Sequence, residues 1–174
     1  MKNKINEQYD VEEAQASTMF GKGEKRENFA DAWKNTGNVI LMGLAGSGKS
    51  ELGALLGEES GMDVVLPESA EQAVEALRGT RQVIVLSDGL VEAPEVQPLV
   101  HGAGKGFYLM VDSNTLAARV AERDSIDDKE QLWRDLSARL AVMEPIFYGA
   151  LHFILQASQS PAEMADDAMK KIAY

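Results

Sequence analysis

The chain has 174 residues, 45% of them hydrophobic, and its 17 basic and 28 acidic side chains give a formal net charge of −11. This length and composition fit one globular domain, and the absence of cysteine excludes disulfides and thiolate metal sites. The negative charge opposes binding to nucleic acid or to an anionic membrane, and no apolar run reaches the ~20 residues that span a bilayer.

Residues 1–37 are predicted to be an N-terminal extension. They carry six basic and seven acidic side chains and show no sustained apolar period. Residues 24–34 have the spacing of one helix, with Phe29, Ala32 and Trp33 on one face. Two interpretations are open: a helix that docks on the following domain, or an arm that binds a partner protein. The opening sequence, MKNKINEQYDVEE, lacks the apolar segment of a secretory signal, so we expect a cytoplasmic location.

Residues 38–174 are predicted to form the main domain, because strand-like and helix-like segments alternate along them. Longer periodic segments separate the apolar runs, and Ser160-Pro161-Ala162-Glu163 combines a capping box with proline at the first helical position. The predicted strands are at residues 39–42, 62–66, 83–86, 107–111 and 152–155, and the predicted helices at 49–58, 69–77, 115–123, 129–143 and 160–172. This alternation predicts an α/β domain with a parallel five-stranded sheet and helices on both faces.

The most informative segment is Gly43-Leu44-Ala45-Gly46-Ser47-Gly48-Lys49-Ser50, which matches G-x-x-x-x-G-K-[ST] between a predicted strand and a predicted helix. Its glycines let the backbone point N–H groups at phosphate oxygens, and the helix N-terminus adds partial positive charge. Lys49 would reach the β- and γ-phosphates, and the Ser50 hydroxyl would bind Mg²⁺. The motif predicts a P-loop NTPase fold with a nucleotide site, to which we assign Gly43, Gly46, Ser47, Gly48, Lys49, Ser50 and Glu51.

Two carboxylates follow predicted strands, at the sheet edge where ligands of open α/β sheets bind. Asp88 follows the strand at residues 83–86, so it either holds Mg²⁺ together with Ser50 or belongs to an ordinary Ser-Asp-Gly turn. Glu68 either receives the proton of an acceptor hydroxyl or belongs with Ser69 to a cap of the next helix. The chain contains no NKxD-like string for reading guanine, and its size fits the small-molecule kinases among P-loop proteins.

Several segments resemble shikimate kinases, in the same order along the chain. NVILMGLAGSGKSELGALLGEESGM resembles the opening of that family, FYLMVDSNTLAARVAERD its YL-x-x-x-x-x-T-L-x-x-R segment, LWRDLSARLAVMEPIFYGALHFIL its long helix and last strand, and SPAEMADDAMKKI its closing helix. The resemblance covers about residues 38–172 and implies a kinase that uses ATP and Mg²⁺. By position, it implies that Arg119 lies against adenine and that Arg123 is the lid arginine that contacts the transferred phosphate.

The acceptor side departs from this family. The Asp-x-Asp pair of the family corresponds here to residues 66–68, which keep only Glu68, and its glycine triplet corresponds to residues 87–89. The arginine that grips the substrate carboxylate corresponds to Met143, which has neither charge nor donors. The helical insert that holds shikimate is also largely missing, so shikimate is not the acceptor that we expect. Arg139 lies one helical turn before Met143 and is a candidate substitute.

Two functions remain open at this point. The first is an ATP-dependent phosphotransferase acting on a small hydroxylated metabolite, with Lys49, Arg123, Asp88 and Glu68 as its catalytic residues. The second is a protein of the same fold that binds ATP without transferring phosphate and works as a regulatory or partner-binding module.

Overall fold

The structure of the protein is a computed structural model that describes residues 36–173. The helix predicted at residues 24–34 lies outside the described residues, and the domain boundary near residue 38 stays a prediction. Five strands form one parallel sheet: β1 (Val39–Met42), β2 (Asp63–Val65), β3 (Gln82–Val85), β4 (Lys105–Met110) and β5 (Phe153–Gln156). Their order across the sheet is β2-β3-β1-β4-β5, with every neighbouring pair parallel, as the alternating pattern predicts.

Helices connect the strands and cover both faces of the sheet. They are α1 (Lys49–Ser60), α2 (Ala70–Arg78), α3 (Asp88–Glu92), α4 (Gln97–Val100), α5 (Ser113–Asp124), α6 (Lys129–Ala150) and α7 (Pro161–Ile172). Helices α1 and α7 pack against each other, whereas α6 contacts α3, α4, α5 and β4. Right-handed crossovers in this strand order place α1 on one face and α2 to α6 on the opposite face, and α7, which follows the last strand, packs on the side of α1.

Strand β1 lies at the centre of the sheet and begins the segment that forms the candidate site. All four of its residues are buried, which explains why the sequence shows a continuous apolar run rather than alternation. Leu41 pairs with Val85 of β3 and Phe107 of β4, so the carboxyl ends of these strands lie side by side. The loops that follow them therefore converge at one edge of the sheet.

Three local features differ from the sequence predictions. Helices α3 and α4 were not predicted. Ser87 caps α3 by accepting a hydrogen bond from the Leu90 N–H, so Asp88 begins a helix rather than a simple turn. Helix α6 continues to Ala150 through Pro145, beyond its predicted end at residue 143. Pro145 is exposed, while Phe147 and Ala150 beyond it are buried, so packing of the last turns offsets the backbone bond that proline lacks.

Within residues 36–173, no helix has both the length and the apolar character that a membrane crossing requires.

Candidate active site

The loop between β1 and α1 has the backbone conformation that its glycines permit. Gly46 and Gly48 both have φ of +87°, in the left-handed region that L-residues rarely adopt. A Cβ at Gly46 would lie 2.9 Å from Cγ2 of Val120 in α5, so glycine is also required for close packing of the loop against that helix. Glycine at Gly46 thus allows the loop both to turn and to approach α5.

The N-terminus of α1 is open to an anion. Gly48 occupies the N-cap position, and no side chain caps the helix there. The first-turn N–H groups of a helix have no intrahelical partners, and together with the helix dipole they attract negative charge. This arrangement suits a phosphate group.

Lys49 is held over the loop by two backbone oxygens. Its Nζ donates to the carbonyl oxygens of Gly43 at 2.7 Å and Leu44 at 2.9 Å. Burial lowers the pKa of Lys49 from 10.5 to about 8, with Asp88 opposing the shift and Arg123 adding to it. The ammonium group is therefore poorly solvated, and an added anion would stabilise its charged form.

A cleft of about 470 Å³ opens above the loop. Two arginines of α5 line it together with Lys49: Arg119 donates from Nη1 to the Gly46 carbonyl oxygen at 3.2 Å, and Arg123, whose side chain is 57% exposed, pairs with Asp124. A chain of net charge −11 thus concentrates three cations at one cleft. Its lining is Ala45, Gly46, Gly48, Lys49, Ser50, Glu51, Arg119, Arg123, Gln159, Pro161 and Met164.

The predicted loop residues take two different positions. Gly46, Gly48, Lys49, Ser50 and Glu51 line the cleft, whereas Gly43 and Ser47 are buried outside its lining. The Ser47 N–H donates to the Leu44 carbonyl at 3.2 Å, and its hydroxyl has no hydrogen-bond partner among the described residues. Ser47 therefore shapes the loop from within.

Asp88 is held by an arginine of α6. Its Oδ2 accepts from Nε of Arg139 at 2.7 Å, and the two Nη atoms of Arg139 donate to the two oxygens of Glu92 at 2.7 and 3.0 Å. These bonds raise the pKa of the Arg139 guanidinium, so it stays charged. Sequence reasoning noted Arg139 only as a substitute for the missing arginine and did not foresee these carboxylate partners.

Glu68 is not brought to the cleft. It is exposed and absent from the cleft lining, and its N–H donates to the side chain of Gln72 in α2. The cap of α2 is Ser69, whose hydroxyl accepts from the Gln72 N–H. Met143, which the resemblance implies stands in place of the family's substrate arginine, is completely buried in the core.

Besides Ala45 of the loop itself, three cleft residues were not predicted from the sequence: Gln159, Pro161 and Met164. They lie just after β5 and in the first turn of α7, at the same carboxyl edge of the sheet as the loop. The available signal was their position after the last predicted strand, because ligand clefts of open sheets lie beyond the strand ends.

The residues present fit a magnesium ion bound together with a nucleotide. Ser50 offers an exposed hydroxyl in the first turn of α1, and Asp88 is a partly exposed carboxylate at the same edge. Residues 36–173 contain no cluster of three or more histidine, aspartate or glutamate side chains that could hold a metal. A sparse donor set suits Mg²⁺, which keeps several waters and is usually bound through one or two protein ligands plus phosphate oxygens.

No protein-family model matches the chain. Shikimate kinase 2 from Pectobacterium carotovorum is 24% identical over 164 residues, which cover 77% of this chain and 95% of that protein. The shikimate kinase from Acinetobacter baumannii in complex with shikimate has a similar structure, with a TM-score of 0.66 at 17% identity over 84% of this chain and 96% of that one. A gluconokinase from Sinorhizobium meliloti gives a TM-score of 0.60 at 20% identity, covering 80% and 93% of the two chains.

The fold and the loop thus define the class: the chain has the α/β fold of the P-loop NTPases. Within that class, the comparisons confirm the predicted resemblance to shikimate kinase-like P-loop kinases.

Proposed function

We propose that the protein is an ATP-dependent phosphotransferase that acts on a small hydroxylated molecule. The observation that carries this proposal is the convergence of Lys49, Arg119 and Arg123 on one cleft above the open N-terminus of α1. Such an arrangement binds polyphosphate and neutralises the charge that is spread over the transferred phosphoryl group. The similarity to kinases of shikimate and gluconate supports transfer to a small molecule.

The proposed reaction needs few chemical groups from the protein. The acceptor hydroxyl oxygen forms a bond to the γ-phosphorus of ATP while the bond to the β–γ bridging oxygen breaks, which releases ADP and the phosphorylated acceptor. The hydroxyl proton passes to a carboxylate and then to water. Catalysis in such reactions is mostly positioning and electrostatic stabilisation. Lys49 holds the β- and γ-phosphates, Arg119 lies at the nucleotide, and Arg123 contacts the transferred group.

Asp88 is the better of the two predicted carboxylates for orienting the acceptor. Neither carboxylate is in the cleft lining, but Asp88 follows β3 beside the P-loop and acts electrostatically on Lys49, whereas Glu68 is exposed and follows the edge strand β2. Ser50 is the principal protein ligand that we assign to Mg²⁺, since one oxygen of Asp88 is already engaged by Arg139. When bound, the ion would neutralise phosphate charge.

A second function is favoured by one observation. Asp88 is ion-paired, and Arg123 is mostly exposed and paired with Asp124. If these pairs persist with nucleotide bound, the protein binds ATP without transferring phosphate and serves as a regulatory or partner-binding module. A cytoplasmic location and a protein partner for residues 1–37 remain predictions under either function.

Two measurements separate the alternatives. Calorimetry with MgATP should detect saturable binding to the wild type and to Lys170→Ala, an exposed-lysine control, but a loss of at least tenfold in affinity for Lys49→Ala. An ADP-release assay over a panel of sugars, polyols, nucleosides and hydroxy acids then tests transfer. Acceptor-stimulated ADP release supports the phosphotransferase. Tight ATP binding without stimulation by any acceptor supports the binder, and unchanged affinity in Lys49→Ala contradicts both.

A further inference from the structure

Asp88 follows β3, the neighbour of β1 in the sheet, and lies beside the P-loop but outside the lining of the cleft. The backbone N–H of Leu86, two residues before Asp88, donates to the Leu41 carbonyl oxygen at 3.0 Å, and Gly43 follows two residues after Leu41. Lys49 Nζ contacts the carbonyl oxygen of Gly43. Asp88 and the phosphate-binding lysine therefore stand at neighbouring strand ends, close enough for the carboxylate to act on the lysine.

The cation on this side is already neutralised. Arg139 donates a hydrogen bond from Nε to Asp88 and one from each Nη atom to Glu92, in a fork geometry that matches the glutamate carboxylate. The three side chains are partly exposed, at 25% for Asp88, 32% for Arg139 and 37% for Glu92, so they form a surface and not a sealed core pair. One positive and two negative groups leave this cluster with a net charge of −1.

We infer that Asp88, Glu92 and Arg139 form the acceptor-side wall of the site and select an uncharged polyhydroxylated acceptor over a hydroxy acid. The inference rests on the proposed phosphotransferase function. A carboxylate needs a cation whose charge is not already offset, and two carboxylates neutralise Arg139 and engage three of its five N–H donors. A carboxylate acceptor would also meet net negative charge at this wall, and like charges across a binding site are unfavourable.

Hydroxyl groups, in contrast, find a partner there. Oδ1 of Asp88 accepts no hydrogen bond from any residue in the described part of the chain, while Oδ2 is fixed by Arg139. An ionised carboxylate only accepts hydrogen bonds, so its open oxygen suits a donating hydroxyl. Met143, one helical turn after Arg139, is buried in the core and can offer no charge.

The test compares acceptors that differ only in the carboxylate. ADP release is measured with gluconate against glucitol and with shikimate against its methyl ester, together with calorimetry of each acceptor in the presence of ADP. We expect the uncharged member of a productive pair to have a kcat/KM at least about tenfold higher, the effect of one unit charge at close range in a partly solvated site. We expect its affinity to be higher by a similar factor.

Variants that alter the charge of the wall should move this preference in opposite directions. Glu92→Gln removes one negative charge and should reduce the preference severalfold, whereas Arg139→Gln adds net negative charge and should increase it. Glu95→Gln is the matched control, because Glu95 is exposed and forms neither an ion pair nor a hydrogen bond with Arg139. Thermal unfolding of each variant shows that the fold is retained.

The outcomes distinguish the inference from the function on which it rests. Equal or better use of the acids by the wild type overturns the inference and leaves phosphotransfer standing. A shift in Glu95→Gln as large as that in Glu92→Gln also overturns it, because overall charge would then explain the preference. If no acceptor of either kind stimulates ADP release although MgATP binds, the proposed function fails and the inference fails with it.

Discussion

Replacing Lys49 by methionine should stabilise the fold while removing nucleotide binding. Burial lowers the pKa of this lysine from 10.5 to about 8, and a difference of about 2.5 units corresponds to about 3 kcal/mol of unfavourable charge burial at neutral pH. Methionine has a similar length and no charge. It leaves the carbonyl oxygens of Gly43 and Leu44 without their donor, which costs about 1–2 kcal/mol. The net gain is about 1–2 kcal/mol, or several degrees in melting temperature.

The stability difference between Lys49→Met and the wild type should depend on pH. Between pH 8 and 10.5 the unfolded chain binds more protons at Lys49 than the folded protein does, so wild-type stability from this residue rises with pH across that window. Lys49→Met lacks this pH-dependent contribution to the free energy of unfolding. The stability of Lys49→Met relative to the wild type should therefore fall by about 2–3 kcal/mol between neutral pH and about pH 10, which removes its advantage and reverses the order of the two proteins.

Urea unfolding of wild type, Lys49→Met and the exposed-site control Lys170→Met at several pH values measures these differences. The control should track the wild type, since both share every other titrating group. A Lys49→Met protein that is less stable than the wild type at neutral pH would refute the reasoning. So would a stability difference that does not change between pH 7 and about pH 10.

Three other perturbations follow from local geometry. Gly46→Ala should destabilise the fold by about 2–3 kcal/mol and abolish ATP binding, because Gly46 has a positive φ and an added Cβ would lie 2.9 Å from Val120. The control Gly61→Ala should cost about 1 kcal/mol and leave the ATP affinity measured by calorimetry unchanged, because Gly61 has φ of +68° but open space for a Cβ. Met143→Arg should not restore an acceptor grip but should destabilise by about 3–5 kcal/mol in urea unfolding, because the position is fully buried. His152, whose pKa is lowered to about 4 by burial and by His101, should make the melting temperature fall as pH drops from 6.5 toward 4, and less so in His152→Leu.

The strands and the P-loop could be predicted because their signals are local. Strand β1 begins and ends where its apolar run predicts, at Val39 and Met42, since a strand buried on both faces needs apolar residues throughout. The loop pattern specifies backbone conformation directly, and Gly46 and Gly48 have the positive φ values that only glycine adopts readily.

The end of α6 could not be predicted, because it is decided by tertiary packing. The periodic pattern predicts an end to the helix at residue 143, yet the helix continues through Pro145 to Ala150. Proline lacks one backbone donor and strains the preceding turn, but burial of Phe147 and Ala150 against the sheet outweighs that local cost. Local helix propensity does not include the free energy that such tertiary contacts contribute.

The carboxylates beside the P-loop were the least predictable part of the candidate site for a similar reason. Asp88 and Arg139 are 51 residues apart, and nothing in their local sequence indicates that they meet. Glu68 follows a predicted strand just as Asp88 does, but β2 is at the edge of the sheet and β3 is next to β1. The strand order, which local patterns do not reveal, decides which carboxylate stands beside the P-loop.

Amide chemical shifts during a MgATP titration test most directly whether the loop is built to receive a polyphosphate. The account predicts saturable shifts centred on the backbone N–H groups of Gly46, Gly48, Lys49 and Ser50, and their absence in Lys49→Ala at the same nucleotide concentration. Saturable shifts confined to another surface, or none up to millimolar MgATP, would contradict it.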